Sequence, residues 1–308
     1  MNKIVAICGP TAVGKTAYSI EIAKKFDGEI VSCDSMQLYK YMDIGSAKPS
    51  SDELNQVKHH LIGIVEPREM FSVAKYKELA YDAIDDIISR GKLPIIAGGT
   101  GLYLDALLYD LDFAAAPSDS TLRDELYKIA EEKGNLELHA ILQECDPCSA
   151  QRIHPNNVRR VVRAIESAKS GVQLKDFAKD LSLNDKYEFI IIGLRRDREE
   201  LYDRINRRVD VLVKEGLFEE VKMLREMGLS ESDISMKGIG YKEVLAYFDG
   251  EYDLETVIDT IKKNTRHFAK RQITWLKRYD DMKWFDLSES KDDKDSIREI
   301  ITWLEKSL

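Results

Sequence analysis

The chain has 308 residues, of which 44% are hydrophobic and 33% charged, a composition typical of globular proteins and not of disordered or fibrous ones. No stretch approaches the roughly 18 apolar residues of a membrane span, and four cysteines are too few for a disulfide framework. A net charge of −9 argues against a nucleic-acid partner, although an average can conceal local basic surfaces. The first apolar run, Ile4 to Cys8, stops at Gly9 and Pro10 and is too short for a signal peptide. We therefore expect a cytoplasmic protein.

Short apolar runs alternate with helix-length amphipathic stretches over the first 110 residues. The predicted strands are 3–8, 29–33, near 60–65 and 93–97, and the predicted helices are 15–26 and 73–89. This alternation is typical of a parallel sheet with crossover helices. The pattern becomes helical throughout 118–179, and residues 187–194 (YEFIIIGL) then predict one more buried strand.

The remainder of the chain is mostly helical from 197 to 278, followed by a strand-like MKWFDL segment and a short final helix. The simplest account is an α/β fold, a parallel sheet with flanking helices, interrupted by an all-helical insertion domain. We predict that residues 1–113 and 187–308 form the core and that residues 114–186 form the insertion.

The residues between the first strand and the first helix carry a phosphate-binding motif. They read GPTAVGKT, which matches GxxxxGK followed by Ser or Thr in the required strand-to-helix context. The glycines allow backbone N–H groups to face an anion at the positive end of the helix dipole. Lys15 would bind terminal phosphate oxygens, and the Thr16 hydroxyl would ligate Mg²⁺. The predicted phosphate loop (P-loop) comprises Gly9, Pro10, Thr11, Ala12, Val13, Gly14, Lys15 and Thr16.

Other predicted strands deliver polar residues to the same edge, because ligands of α/β sheets gather beyond the carboxyl ends of the strands. The second strand is followed by residues 34–37, the Leu93 strand by 98–101 (GGTG), and the last one by Arg195 and Arg196. An ATPase needs an acid at a strand end to manage magnesium and water. Two strands end in glycine and one ends in Asp34, so an ATPase is disfavoured without being eliminated. Asp34 has two candidate roles: it could hydrogen-bond to the ligands of a metal ion, or it could act as a general base. Its motif does not distinguish between them.

Two acid-free basic segments stand out in this acidic chain. Residues 262–278 carry seven Lys or Arg residues, and residues 151–163 carry four Arg residues, with no Asp or Glu in either segment. Lys262, Arg266 and Lys270 are four residues apart and would repel one another on one helix face. A single basic stripe is often only a solvated helix face, but two such segments favour RNA or DNA as a partner.

Eight segments of this chain resemble, in order, those of the tRNA dimethylallyltransferase family, also called tRNA isopentenyltransferases. The resemblance is to the bacterial type, which lacks the C-terminal zinc finger of some eukaryotic members, and it runs through nearly the whole chain. The segments are GPTAVGKT, DSMQLYKYMDIGSAKP, HHLI, GGTGLYL, IHPNNVRRVVRAIE, DRINRRVD, GIGYKEV and TRHFAKRQITWLKR.

The resemblance implies transfer of a dimethylallyl group from dimethylallyl diphosphate to the exocyclic N6 amine of the adenosine immediately 3′ of the anticodon in tRNA. A diphosphate suits a P-loop without any nucleotide. The departing pyrophosphate would be stabilised by Lys15, the loop amides, Mg²⁺ and Arg208. At the matching positions, the resemblance implies that Asp34 is the general base and that Gln37 holds the target adenine. It also implies that Thr11 and Thr100 position the reacting groups.

The target adenine is stacked in the anticodon loop, so we expect it to be flipped into the cleft. The resemblance implies that the helical insertion and the C-terminal basic helices hold the anticodon stem-loop. The predicted tRNA-binding residues are Asp34, Ser35, Met36, Gln37, Arg123, Arg152, Arg159, Arg160, Arg163, Arg266, Lys270, Arg271 and Gln272. Neither a membrane nor an obligate protein partner is expected.

Three alternatives remain open at this point. A small-molecule P-loop kinase would use ATP at the same loop, but it has no need for a helical insertion and a strongly basic helix. An adenine-nucleotide prenyltransferase would prenylate a free nucleotide such as AMP. A non-catalytic RNA-binding switch would use the loop only to sense a nucleotide.

Overall fold

The computed structural model of the chain describes residues 1–109, 111, 120–171, 182–290 and 292–308. It divides into two compact units. The first comprises Met1–Tyr109 with Leu183–Leu308, and the second comprises Asp110–Ser182. The predicted boundary between residues 113 and 114 lies outside the described residues, and the second predicted boundary, at 186, lies within a few residues of Ser182.

The first unit is built on a parallel sheet of six strands in the order β3-β2-β4-β1-β5-β6. The strands are β1 (Asn2–Cys8), β2 (Gly28–Cys33), β3 (His59–His60), β4 (Leu93–Gly98), β5 (Tyr187–Arg195) and β6 (Lys283–Asp286). β5 pairs with β1 although the insertion separates them in sequence. The insertion therefore interrupts one continuous sheet.

Helices cover both faces of this sheet. They are α1 (Lys15–Lys25), α2 (Ser51–Gln56), α3 (Val73–Ser89), α4 (Gly101–Leu108), α9 (Arg198–Glu215), α10 (Leu217–Glu226), α11 (Tyr241–Phe248), α12 (Leu254–Leu276) and α13 (Asp293–Ser307), with a 3₁₀ turn at Ser235–Lys237. Along β1, Ile4 and Ala6 join one hydrophobic cluster while Val5 and Ile7 join the other. Burial on both faces is characteristic of parallel sheets, so the predicted α/β class is confirmed.

One predicted strand is much shorter than expected. The sequence predicts a strand near residues 60–65, but only His59 and His60 pair with β2. Leu61 and Gly63 then adopt left-handed φ values of 61° and 61°, which an extended strand cannot accommodate. Val65 returns to form an isolated bridge with Tyr39.

The second unit is helical where it is described. Its helices are α5 (Ser120–Lys133), α6 (Asn135–Cys145), α7 (Pro147–Arg152) and α8 (Val158–Lys169). They enclose a core of their own that includes Leu138, Leu142, Val161 and Ile165. Among all described residues of the chain, no helix is both long and apolar enough to cross a membrane.

Candidate active site

The carboxyl ends of three neighbouring strands lie at one level of the sheet. In the strand register, Gly98 at the end of β4 is paired with Cys8 of β1 on one side and with Cys33 of β2 on the other. The residues that follow, namely the P-loop, the segment beginning at Asp34 and the GGTG segment, consequently leave the sheet side by side. Their predicted convergence on this edge agrees with the structure.

The P-loop needs unusual backbone geometry at two positions. Ala12 has φ 64° and Gly14 has φ 117°, and Gly14 is the residue immediately before α1. A side chain at Gly9 would bring its Cβ to 2.7 Å from the carbonyl oxygen of Leu194. Position 9 therefore requires glycine because β5 passes close to the loop there. At position 14, glycine avoids the strain that a side chain would cause at this positive φ.

The ammonium group of Lys15 folds back over the P-loop. Its Nζ donates hydrogen bonds to the carbonyl oxygens of Gly9 at 3.0 Å and Pro10 at 2.9 Å. Burial lowers the pKa of Lys15 to about 8, while the nearby carboxylate of Asp34 raises it and the guanidinium of Arg208 lowers it further. Lys15, Asp34 and Arg208 thus act on one another electrostatically across one cleft.

Helix α9 supplies arginines to the outer side of the same loop. Arg204 Nε donates to the carbonyl oxygen of Ala12 at 3.0 Å. A cavity of about 260 Å³ is lined there by Ala12, Gly14, Arg204, Arg207 and Arg208. Burial lowers the pKa of Arg208, and Asp34 opposes that effect. Of these arginines the sequence prediction named only Arg208, although the DRINRRVD segment contains all three.

Arg195, the last residue of β5, and Arg196, which follows it, have different partners. Arg196 Nε donates to the carbonyl oxygen of Val13 at 3.0 Å, and its other nitrogens are paired with Glu200 and Asp293. Arg196 therefore supports the P-loop from behind. Arg195 is instead paired with Asp286 of β6 at 3.1 Å, so its guanidinium group is held at β6 and not at the P-loop.

Gln272 of α12, which the sequence predicts as a tRNA contact, makes two hydrogen bonds within the protein. Its Oε1 accepts a hydrogen bond from the backbone N–H of Thr11 at 2.8 Å, and its Nε2 donates to the carbonyl oxygen of Gly99 at 3.0 Å. The residue is only 7% exposed, and a Cβ at position 99 would lie 2.3 Å from Nε2. Gln272 therefore joins the P-loop to the GGTG segment.

Asp34 and Thr100 are held by local hydrogen bonds at the ends of β2 and β4. Asp34 Oδ1 accepts from the backbone N–H groups of Met36 at 2.9 Å and Gln37 at 3.4 Å. Asp34 Oδ2 has no hydrogen bond to any described residue. Thr100 Oγ1 accepts from the N–H of Ser35 at 3.1 Å, which ties the two strand ends together. One carboxylate oxygen is thus positioned by the backbone while the other is left for a ligand.

Two of the residues after Asp34 have well-defined contacts within the protein. Gln37 Oε1 accepts from the Ser32 hydroxyl at 3.1 Å, and its Nε2 donates to the carbonyl oxygen of Ala47 at 3.2 Å. Met36 packs towards Gly238, where a Cβ would lie 2.5 Å from the Met36 methyl group. Gln37 has a fixed orientation at this edge of the sheet.

The chemistry of the donor set fits a Mg²⁺ ion that is carried mainly by a substrate. No described residues form a group of three or more His, Cys, Asp or Glu side chains that could enclose a metal. Thr16 is partly exposed at the start of α1, and its hydroxyl makes no hydrogen bond to the described part of the chain. Mg²⁺ usually takes one or two protein oxygens together with phosphate oxygens and water, and Thr16 can supply such a ligand.

The basic residues of α12 divide into two groups. Lys262 pairs with Asp210 at 2.6 Å, and Arg266 donates to the Asn206 side chain at 2.6 Å. The expected mutual repulsion along one face is therefore relieved by α9. Lys270 and Arg271 are exposed and form no ion pair with a described residue, so they remain available to an external anion.

The arginines of the insertion also fall into two groups, those that contact Glu166 and those that are exposed. Arg123 forms two hydrogen bonds of 3.0 Å and 3.0 Å to the carboxylate of Glu166, which is 2% exposed, and Arg163 approaches the same carboxylate at 3.6 Å. These two stabilise the unit from within. Arg159 and Arg160 are exposed on α8 and have no ion pair within the described residues. Arg152 is exposed and donates to groups of its own helix, α7.

Comparison with known proteins identifies related sequences. The IPP transferase family model matches residues 37–279. A tRNA dimethylallyltransferase of Clostridioides difficile is 50% identical over 310 aligned positions that cover 100% of each chain, and one of Alkaliphilus oremlandii is 50% identical over 288 positions, which cover 93% of this chain and 92% of the relative.

Solved structures extend the similarity to three dimensions. A tRNA isopentenylpyrophosphate transferase from Bacillus halodurans is 43% identical with a TM-score of 0.75, and the match covers 99% of this chain and 96% of that one. A eukaryotic dimethylallyltransferase acting on tRNA is 28% identical with a TM-score of 0.82, over 100% of this chain and 80% of its own. The resemblance predicted from the sequence is confirmed, and the chain belongs to the IPP transferase family.

Proposed function

We propose that this protein transfers a dimethylallyl group from dimethylallyl diphosphate to the N6 amine of the adenosine immediately 3′ of the anticodon in tRNA. The observation that carries the proposal is the common level of three strand ends. It brings a phosphate-binding loop after β1, the Thr100 hydroxyl after β4 and the Asp34 carboxylate after β2 to one edge of the sheet. A predicted anion site and a candidate general base thus lie at the same edge of the sheet.

The diphosphate of the donor binds at the P-loop. Backbone N–H groups at the start of α1 and the Lys15 ammonium group face it, and Arg208 adds a second positive charge. As the C–O bond breaks, negative charge accumulates on the departing pyrophosphate, and these groups stabilise it. Bound Mg²⁺, held by the Thr16 hydroxyl and the diphosphate, would supply Lewis-acid stabilisation of the same charge.

The acceptor amine reacts on the side of Asp34. A bond forms between N6 and the allylic carbon of the donor while the carbon–oxygen bond to pyrophosphate breaks. The surplus proton of the amine passes to Asp34, whose free Oδ2 is suited to a general base. Thr100, bonded to Ser35, keeps this carboxylate in place relative to β4, and Thr11 and Gln37 position the two substrates.

RNA is held by charge outside the cleft. Lys270 and Arg271 on α12, and separately Arg159 and Arg160 on α8, are exposed cations without ion-pair partners among the described residues. Such side chains bind phosphates and release counterions. Because tRNA and the diphosphate donor are dissolved substrates, we assign the reaction to the cytoplasm.

A single assay tests the proposal. Purified protein, Mg²⁺ and labelled dimethylallyl diphosphate are incubated with a synthetic anticodon stem-loop carrying adenosine at the target position, and the RNA is analysed by mass spectrometry. We expect the mass of one dimethylallyl group on that adenosine. A stem-loop with inosine at this position lacks the N6 amine and serves as the negative control.

Other outcomes would replace the proposal. Consumption of ATP with phosphorylation of a metabolite, and no prenyl transfer, would indicate a P-loop kinase. Prenylation of AMP that tRNA does not inhibit would indicate an adenine-nucleotide prenyltransferase. RNA binding without any transfer would indicate a binding protein.

A further inference from the structure

A buried carboxylate outside the catalytic cleft holds the loop that follows Asp34. Glu220, in the first turn of α10, accepts hydrogen bonds from three consecutive backbone N–H groups, those of Asp43 at 2.7 Å, Ile44 at 2.7 Å and Gly45 at 2.9 Å. The hydroxyl of Tyr241 donates a fourth at 2.8 Å. Glu220 is 7% exposed and has no ion pair with a described residue, so these four donors and the positive end of α10 stabilise its charge.

The loop requires such an anchor because its backbone is strained. Tyr41 and Ala47 have φ values of 62° and 49°. These values lie in the left-handed region, which is energetically unfavourable for any residue other than glycine. Gly45 lies so close to Tyr241 that a Cβ there would be 2.5 Å from the ring. A backbone of this shape persists only where surrounding contacts over-determine it, and Glu220 supplies three of them.

The far end of this loop reaches the cleft. The carbonyl oxygen of Ala47 accepts from Gln37 Nε2 at 3.2 Å and from an Arg208 nitrogen at 3.4 Å. Of these two contacts, the shorter belongs to Gln37. Ala47 thus orients the nitrogen end of the Gln37 amide, while Ser32 holds the oxygen end. Ala47 is itself held by a hydrogen bond of 2.8 Å from its N–H to the carbonyl oxygen of Ile44, one of the residues bound to Glu220.

We propose that Glu220 is a positioning residue that orients Gln37 for the acceptor adenine by anchoring residues 43–47. The inference rests on the proposed function, because Gln37 has an acceptor to hold only if the substrate is an adenosine. Helix α10, which is not part of the cleft, would then have a role in substrate recognition. A change at Glu220 would affect binding of the acceptor more than binding of the donor.

The test compares Glu220→Gln with Glu29→Gln. In Glu220→Gln the side-chain NH₂ faces backbone N–H donors, so at least one anchoring bond is lost and replaced by a repulsive contact. We expect KM for the anticodon stem-loop to rise about 10-fold, while kcat at saturating RNA and KM for dimethylallyl diphosphate change less than about 3-fold. Glu29 is also a buried carboxylate, 4% exposed and bound to Arg90 and His60 at the amino end of β2. Its variant should change neither KM.

A purely structural role for Glu220 would raise both KM values together or leave both unchanged, and either result overturns the proposal. Tyr241→Phe, which removes one donor at nearly constant volume, decides the question if Glu220→Gln does not fold. It should shift KM for the stem-loop in the same direction by about 2-fold to 5-fold, and an unchanged value rejects the role.

Hydrogen exchange separates this inference from the proposed function. If the wild-type protein transfers no prenyl group, the proposed function fails, but exchange of the amides of residues 43–45 still reports on the anchor. Faster exchange in Glu220→Gln and not in Glu29→Gln would support the anchoring of the loop, and equal rates in both variants would refute it.

Discussion

The side-chain oxygen of Gln272 accepts a hydrogen bond from the backbone N–H of Thr11 at 2.8 Å. Its amide nitrogen simultaneously donates to Gly99. A residue near the other end of the chain therefore helps to hold the P-loop in place.

Replacing Gln272 should affect the donor site more than RNA binding. In Gln272→Ala the Thr11 amide and the Gly99 carbonyl lose their partner, which costs roughly 1–3 kcal/mol for each unsatisfied group. We expect KM for dimethylallyl diphosphate to rise at least about 10-fold and affinity for the stem-loop to stay close to wild type. Exposed Lys270 on the same helix provides the control in Lys270→Ala, where the opposite pattern is expected. Weakened RNA binding in Gln272→Ala with unchanged donor KM would contradict the bridging role.

Asp34 should be required for turnover and not for RNA binding. Asp34→Asn keeps an oxygen for the Met36 and Gln37 amides but cannot take a proton, so kcat should fall by about 100-fold to 10,000-fold. Single-turnover kinetics with preformed RNA complex measures the loss, and filter binding of the stem-loop should change little. Asp34→Ala removes the backbone contacts as well and should be no more active. Normal turnover in Asp34→Asn would reject the role of general base.

Binding of the donor should weaken as the pH rises through 8. Burial lowers the pKa of Lys15 to about 8, so the free protein carries the ammonium group below this pH and loses it above. The last proton of a phosphate monoester dissociates near pH 6, so the donor keeps a constant charge in this range. We expect Kd for dimethylallyl diphosphate to rise up to about 10-fold per pH unit above 8. Lys15→Arg stays charged, and its Kd should vary little from pH 7 to 9. A flat profile in the wild-type protein would show that Lys15 does not titrate there.

Charge reversal at Lys270 and Arg271 should weaken tRNA binding and its dependence on salt. Removing two phosphate contacts lowers the slope of log K against log salt by about 1 to 2, while KM for dimethylallyl diphosphate is retained. Lys24→Glu with Lys25→Glu makes the same change in net charge at the last turn of α1, at the end of that helix opposite the P-loop. It should leave tRNA affinity within about 2-fold. Equal effects of the two double variants would indicate that only net charge matters.

Arg123 and Arg159 should separate stability from RNA binding within the insertion. Among the described residues, Arg123→Ala leaves the buried carboxylate of Glu166 with the longer contact to Arg163, and we expect a loss of roughly 2–4 kcal/mol in the free energy of unfolding. Arg159→Ala should cost less than about 0.5 kcal/mol, as is usual for an exposed side chain, and should reduce tRNA affinity. Urea denaturation and filter binding of the full-length variants measure both. Equal stability of the two variants would contradict the role assigned to Arg123.

Local patterns were sufficient to predict much of the fold. Helix α3 begins and ends at the predicted residues, Val73 and Ser89, because its apolar positions recur with helical spacing and Ser72 caps its start. The P-loop and the three strand ends follow from motifs whose residues are adjacent in sequence. Parallel pairing then brings Asp34 and Thr100 to one edge without further information.

The contacts that complete the site could not be predicted in this way. Gln272 reaches Thr11, and Arg204 reaches Ala12, across most of the chain, and no periodicity identifies such partners. Net charge also does not indicate which cations are already paired. Lys262 faces Asp210, and Arg123 faces Glu166, whereas Lys270 belongs to the same basic segment as Lys262 and remains exposed.

The bond between Gln272 and Thr11 has a consequence for how the protein becomes active during its synthesis. Thr11 leaves the ribosome early, but the residue that braces its loop is translated 261 positions later. A nascent chain therefore carries a P-loop without this hydrogen bond until nearly all of its sequence has emerged. Prematurely terminated products that end before α12 would lack this brace, and would thus be poor competitors for the cell's supply of prenyl donor.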